Sequence, residues 1–230
     1  MGVVLAPGRS PIAGAQSAGI RVPILSYHAI DYSYSGYSVT PEQLDAQCVW
    51  LLQNGYTVIT LWQFWDAAFG AGTLPANPVV LTNDDGWSSA LTFADVIGAY
   101  GLTATYFVNN VSPITPDQIW SLAQRGSVQA HTVTHAHLAG MDNESQFAEI
   151  AQNMAYLQQN TGQPVSFLAW PFAEWDDSAV QAAQSAGIIG AFGLGGIAAQ
   201  IGGLDPYHIP RIMILTGDDL NSFAAKVTGS

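Results

Sequence analysis

From Val22 onward the chain alternates between short apolar segments and amphipathic segments that stop at a glycine, and this alternation leaves few folds open. The apolar segments are Val22–Tyr27, Thr57–Thr60, Val79–Thr82, Thr103–Val108, Ser127–Ala130, Val165–Ala169, Ile188–Phe192 and Ile209–Ile214. Several are rich in β-branched residues, as strands covered on both faces are. Helical patterns lie between them: Pro41–Asn54, Leu61–Phe69, Ser89–Tyr100, Pro116–Arg125, Asn143–Gln159 and Asp176–Ala186. Thr40 and Thr115 are N-caps with proline in the first turn. Gly55, Gly70, Gly101, Gly126 and Gly187 follow the last turns. Helix, glycine, strand is the pattern of βα units around a parallel sheet. Seven or eight such units in 230 residues predict one α/β domain, a barrel rather than an open sheet. Residues 1–20, rich in Gly, Ala, Ser and Pro, read as a flexible lead-in of the kind that follows a removed signal, and residues 21–230 as the folded domain.

Charge narrows the partners. Seventeen acidic residues face five basic ones, for a net charge of −12. Phosphate binding needs basic clusters, so nucleic acid is excluded, and anionic membranes are disfavoured. No run reaches transmembrane length, and the N-terminus lacks a charged-then-apolar signal pattern. The single lysine, Lys226, fits a secreted, periplasmic or cell-surface protein. Cys48 is the only cysteine, which excludes an internal disulfide; on its amphipathic helix it reads as a small core residue. Oligomeric state is not encoded in any pattern found.

In a barrel or an open α/β sheet, chemistry belongs at the C-terminal ends of strands. Those ends carry Tyr27-His28, Asn83-Asp84-Asp85-Gly86, His131-Thr132-Val133-Thr134-His135 and Trp170-Pro171-Phe172, with three of the five histidines among them. Two histidines and a carboxylate are a familiar set for a divalent metal with open positions. A turn or short helix would bring His131 and His135 to one ion; His137 reads as a neighbour or a solvated side chain. Adjacent carboxylates repel, and a metal removes that conflict if one binds it and the other serves as a base beside an activated water. The plain alternative is that Asp84-Asp85-Gly86 is a solvent turn or a helix cap. The run Gly193-Leu194-Gly195-Gly196 reads as a flexible loop near the site rather than a dinucleotide loop, since no fitting helix and acidic partner follow.

TNDDGW and HTVTH resemble the first two motifs of the polysaccharide deacetylases, carbohydrate esterase family 4, also known by their NodB homology. The likeness runs from about Val22 to Leu215, through PILSYHAID, VVLTNDDGW, GLTATYFV, LAWPFAEW and YHIPRIMI in the expected order. It is closest to the branch of the poly-β-1,6-N-acetylglucosamine N-deacetylases, in which a Tyr-His segment comes before the double aspartate. The resemblance implies a distorted (β/α)7-8 barrel and a hydrolase. It implies Asp84 as general base, Asp85, His131 and His135 as metal ligands, and His28 as the acid that protonates the leaving amine. The metal expected is zinc, with cobalt, nickel or iron also fitting the donors.

Trp87, Trp170, Pro171 and Phe172 would then wall a groove for an acetylated carbohydrate, apolar sugar faces packing on rings; core packing is the alternative for Phe172. Arg211 lies on an apolar strand, and a buried arginine needs a carboxylate. We expect it to pair with and orient Asp84; a surface position facing Asp205 is the alternative. His208 is a weak candidate for the groove. Two departures from the family pattern stand out: Asn83 replaces an aromatic, and Glu174 stands near the place where a glycine follows the third motif. The expected reaction is N-deacetylation of N-acetylglucosamine units. The rivals are an O-acetyl xylan esterase, a non-catalytic carbohydrate-binding relative, and a glycosidase, for which the required pair of facing carboxylates is missing.

Overall fold

The structure is a computed structural model that describes residues 19–33 and 35–230. The lead-in expected over residues 1–20 therefore lies outside the described residues, apart from Gly19 and Ile20. Those two are tied down: Gly19 N–H donates to Ile201 O (2.7 Å) and Ile201 N–H to Ile20 O (3.0 Å).

Eight parallel strands form the central sheet: β1 (Ile24–Tyr27), β2 (Thr57–Val58), β3 (Pro78–Asn83), β4 (Thr105–Val108), β5 (Ser127–Ala130), β6 (Phe167–Ala169), β7 (Gly190–Phe192) and β8 (Ile212–Met213). Their order is β7-β6-β5-β4-β3-β1-β8, with β2 paired to the start of β3. The last segment joins the two edges. Gly193 N–H donates to Ile209 O (2.9 Å) on the β7 side, and Ile214 N–H to Ser26 O (3.0 Å) on the β1 side. The curled sheet thereby becomes the distorted (β/α) barrel that the sequence predicts. Every expected strand is present, most of them trimmed; Thr60 leaves the second because its side chain caps the next helix.

The helices are α1 (Pro41–Gln53), α2 (Leu61–Phe69), α3 (Ala90–Gly98), α4 (Pro116–Ala123), α5 (Asn143–Thr161), α6 (Asp177–Ala186) and α7 (Leu220–Thr228). Helices α1, α2 and α4 start with reciprocal capping boxes, Thr40/Gln43, Thr60/Gln63 and Thr115/Gln118. The sequence reading missed α7, although Asp219 caps it and Gly229 ends it. No described helix is long and apolar enough to cross a membrane.

Period-2 alternation sorts the strand side chains into two layers. Leu25, Leu81, Tyr106 and Val128 join Leu51, Phe93, Leu122 and Ile150 between sheet and helices. Ile24, Val80, Phe107 and Phe192 form a second cluster with Phe64 of α2, inside the curl. This inner apolar plug is the floor on which the polar strand ends sit.

Candidate active site

Asp84 still belongs to the sheet: its N–H donates to Tyr27 O (2.8 Å). Asn83 donates its side-chain amide to His28 O (2.6 Å) and so pins the end of β1 to the end of β3. The backbone then turns through two left-handed residues, Asp85 (φ 72°) and Gly86 (φ 70°). The two carboxylates consequently point to different partners, which ends their mutual conflict. At Gly86 a Cβ would lie 2.8 Å from Val108 Cγ1 and 2.9 Å from Ser112 Oγ. Gly86→Ala is therefore expected to cost about 1–3 kcal/mol through strain and overpacking, seen as a lower midpoint in thermal melting.

Asp84 faces Arg211. The guanidinium forks onto the carboxylate, Nη1 to Oδ1 and Nη2 to Oδ2, both at 2.7 Å, and Ser26 Oγ donates to Oδ2 at 3.3 Å. Arg211 also donates to Thr82 Oγ1 (3.1 Å) and Gly193 O (3.2 Å) and lies over the Phe107 ring. Both partners are about 2% exposed or less. The surface position facing Asp205 is thus ruled out; Asp205 pairs with His208 at 2.8 Å instead. Burial pushes the Asp84 carboxyl up, but the Arg211 charge and hydrogen bonds, with help from His28 and His131, outweigh it and hold the group below the usual carboxylate range.

Asp85 faces the histidines. Its Oδ1 lies 3.1 Å from His131 Nε2 and 3.2 Å from His135 Nε2. One donor atom from each of the three residues falls within 4.8 Å of the others. The His131–His135 segment is neither helix nor simple turn; left-handed Thr132 (φ 65°) and His135 (φ 57°) fold it back on itself. His131 Nδ1 sits 2.8 Å from Ala169 O, an acceptor, which places the proton on Nδ1 and leaves the Nε2 lone pair for an ion. Asn153 accepts from His131 N–H (2.9 Å), and Asn109 donates to Asp85 O (3.1 Å). Burial raises the Asp85 pKa, yet the two histidines hold it far below the carboxylate range. Burial lowers His131, and Asp85 and Asp84 more than reverse that. A negative, fork-like donor set with fixed tautomer fits a divalent cation.

A pocket of about 400 Å³ opens over both carboxylates. His28, Trp87, Trp170 and Phe172 line it, with Asp84, Asp85, His131, His135 and Arg211. Pro171 does not: it is buried under the 3₁₀ turn Pro171–Ala173, so the wall expected there is carried by its neighbours. Phe172 is on the wall rather than in the core, at 49% exposure and with φ 56°. His28 is half-buried, and its buried Nδ1 has no hydrogen-bond partner among the described residues. Burial lowers its pKa, only partly offset by Asp84 and Asp85. His137 stays out of the donor cluster; it stacks on Phe172 (3.7 Å between centroids) and sits 2.7 Å from Glu174 Oε2. His208 packs against Trp175 outside the pocket.

The sequence reading missed Tyr37 and Met213, which also line the pocket. Met213 was legible as the residue two beyond Arg211 on one strand. Tyr37 lies on the loop after β1, nine residues beyond His28 and outside any motif. Leu194 of the glycine run lines the pocket, as a loop near the site.

A model of the family described as polysaccharide deacetylase matches residues 71–191, just over half the chain. YxkH of Bacillus subtilis (strain 168), which carries a provisional polysaccharide deacetylase designation, is 26% identical over 216 residues, 90% of this chain and 76% of its own length. The deacetylase PplD of Streptococcus pyogenes, solved in complex with acetate, superposes with a TM-score of 0.84 at 21% identity, over 91% of this chain and 99% of its own. IcaB of Ammonifex degensii superposes at 0.80 with 20% identity, over 93% and 97%. These two structures share the fold.

Proposed function

The chain belongs to the polysaccharide deacetylase family, and from that premise we propose that it hydrolyses acetyl groups from N-acetylglucosamine units of a polysaccharide or oligosaccharide, using a divalent metal. The observation that carries the reading is the convergence of Asp84, the Asp85–His131–His135 cluster and His28 on one pocket. A cation held by Asp85, His131 and His135 would polarise the acetyl carbonyl and acidify the attacking water, so that even a weak base suffices. Asp84 is that base. Arg211 keeps it ionised and aims it, at the expense of basicity. The water oxygen bonds to the acetyl carbon as Asp84 takes its proton, and the carbon–nitrogen bond breaks as His28 delivers a proton to the nitrogen. Burial makes the His28 imidazolium a stronger acid than an exposed one, which suits that delivery. Trp87, Trp170 and Phe172 offer rings to the sugar.

The test is acetate release from N-acetylglucosamine oligomers and from acetylated xylan, before and after metal depletion and reloading with zinc, cobalt, nickel or iron. Release from the oligomers that stops on depletion and returns on reloading is expected. Release from xylan alone would point to an O-acetyl esterase. A folded, metal-loaded protein that releases acetate from neither is no deacetylase. His28→Gln is expected to slow turnover by about 10²–10³-fold, the scale of a lost general acid.

A further inference from the structure

Phe172 lines the pocket from a disfavoured backbone conformation. It and Ala173 are both left-handed, at φ 56° and 55°. Bulky residues rarely adopt that region and keep it only where their surroundings fix them. Two imidazoles grip the ring. His137 lies flat on it, 3.7 Å between centroids and 7° from parallel, and His135 meets it edge-on at 4.5 Å. His137 is held in turn. Its Nδ1 is 2.7 Å from Glu174 Oε2, a carboxylate oxygen that accepts, so Nδ1 carries the proton and donates. The loop of His137 is also tied to the segment of Glu174. Gly140 N–H donates to Asp176 Oδ2 (2.8 Å), and the Gln146 amide donates to Leu138 O (2.9 Å) and Asp176 Oδ1 (3.1 Å). Residues 137–140 and 172–176 thereby form one braced piece.

The His137–Glu174 pair contributes little to stability: its side chains are 62% and 51% exposed, and exposed pairs are worth little to a fold. What it reaches is the pocket, where Phe172 stands beside Asp85, His131 and His135. Without His137 one face of the ring is bare, and the left-handed turn beneath it is free to relax. Resting on the deacetylase reading, we propose that His137, braced by Glu174, is a positioning residue: it holds Phe172 as the fixed wall against which the acetylated ligand settles beside His135.

The experiment measures KM and kcat for acetate release from N-acetylglucosamine hexamers, together with metal content, in variants shown to be folded by circular dichroism. His137→Ala and Glu174→Ala are each expected to raise KM about three- to tenfold, the scale of one ring contact, with kcat and metal content close to wild type, as for a lost binding interaction. Glu174→Gln keeps an acceptor for the imidazole N–H and is expected to recover most of the loss. Phe172→Leu removes the ring through which His137 acts, so adding His137→Ala to it is expected to change KM no further. A wild-type KM in His137→Ala, an undiminished effect of His137→Ala in the Phe172→Leu protein, or loss of metal in His137→Ala overturns the proposal. Calorimetric titration of the hexamers onto the same four proteins of the cycle separates the two readings. Binding weakened by His137→Ala only where Phe172 is present supports the positioning role even if wild type releases no acetate, and that silence then counts against the deacetylase reading alone. No binding, or binding indifferent to His137, overturns it.

Discussion

Asp84→Asn is expected to lower kcat for acetate release by about 10²–10⁴-fold, the range of a lost general base, while metal content stays at the wild-type value. The reason is geometric. Asp84 is forked by Arg211, and the donor cluster consists of Asp85, His131 and His135. Asp85→Asn should do the opposite to the metal: plasma mass spectrometry of the purified protein should show it lost, and turnover lost with it. Two adjacent residues of like chemistry thus give two distinguishable failures. Full turnover in Asp84→Asn, or full metal in Asp85→Asn, would show that the roles are wrongly divided.

Arg211→Met should destabilise the fold by about 3–5 kcal/mol, because it leaves a carboxylate buried without its counter-charge. Urea denaturation measures it. Adding Asp84→Asn to Arg211→Met should recover much of the loss, since the residue left behind is then neutral, and the cycle reports the coupling of the pair. Arg211→Lys keeps the charge but loses the fork that satisfies both carboxylate oxygens, so it should fall between. The pH dependence follows from the direction of the Asp84 shift. Its folded pKa lies below the unfolded value of about 3.9. The pair's contribution is therefore complete above that value and is lost as the pH falls through the lower folded one. In Arg211→Met the acid-induced loss should shrink. A variant as stable as wild type would mean that solvent reaches Asp84, contrary to its 2% exposure.

Local chemistry carried much of this protein in readable form. Strand and helix positions follow from period-2 and helical apolar patterns, and capping threonines with glycine stops punctuate them. Once a βα alternation is recognised, the strand ends follow by counting, and with them the short list of acids, imidazoles and rings. Helix α7 escaped because no strand follows it to complete a βα alternation, and Pro171 was misplaced because a 3₁₀ turn tucks it under while Trp170 and Phe172 reach the pocket.

What the sequence by itself determined was the inventory: which elements form, and which residues stand where β1, β3, β5 and β6 end. Only the tertiary structure decided which partners those residues meet. Left-handed backbone at Asp85, Thr132 and His135 turns one carboxylate toward two histidines and leaves the other in the sheet. Closure of the barrel by residues 209–214 brings Arg211 across 127 positions of chain to Asp84. The physical reason is the same in each case. A strand forms from its own neighbours, whereas a buried charge is stable only against a partner that the rest of the fold delivers.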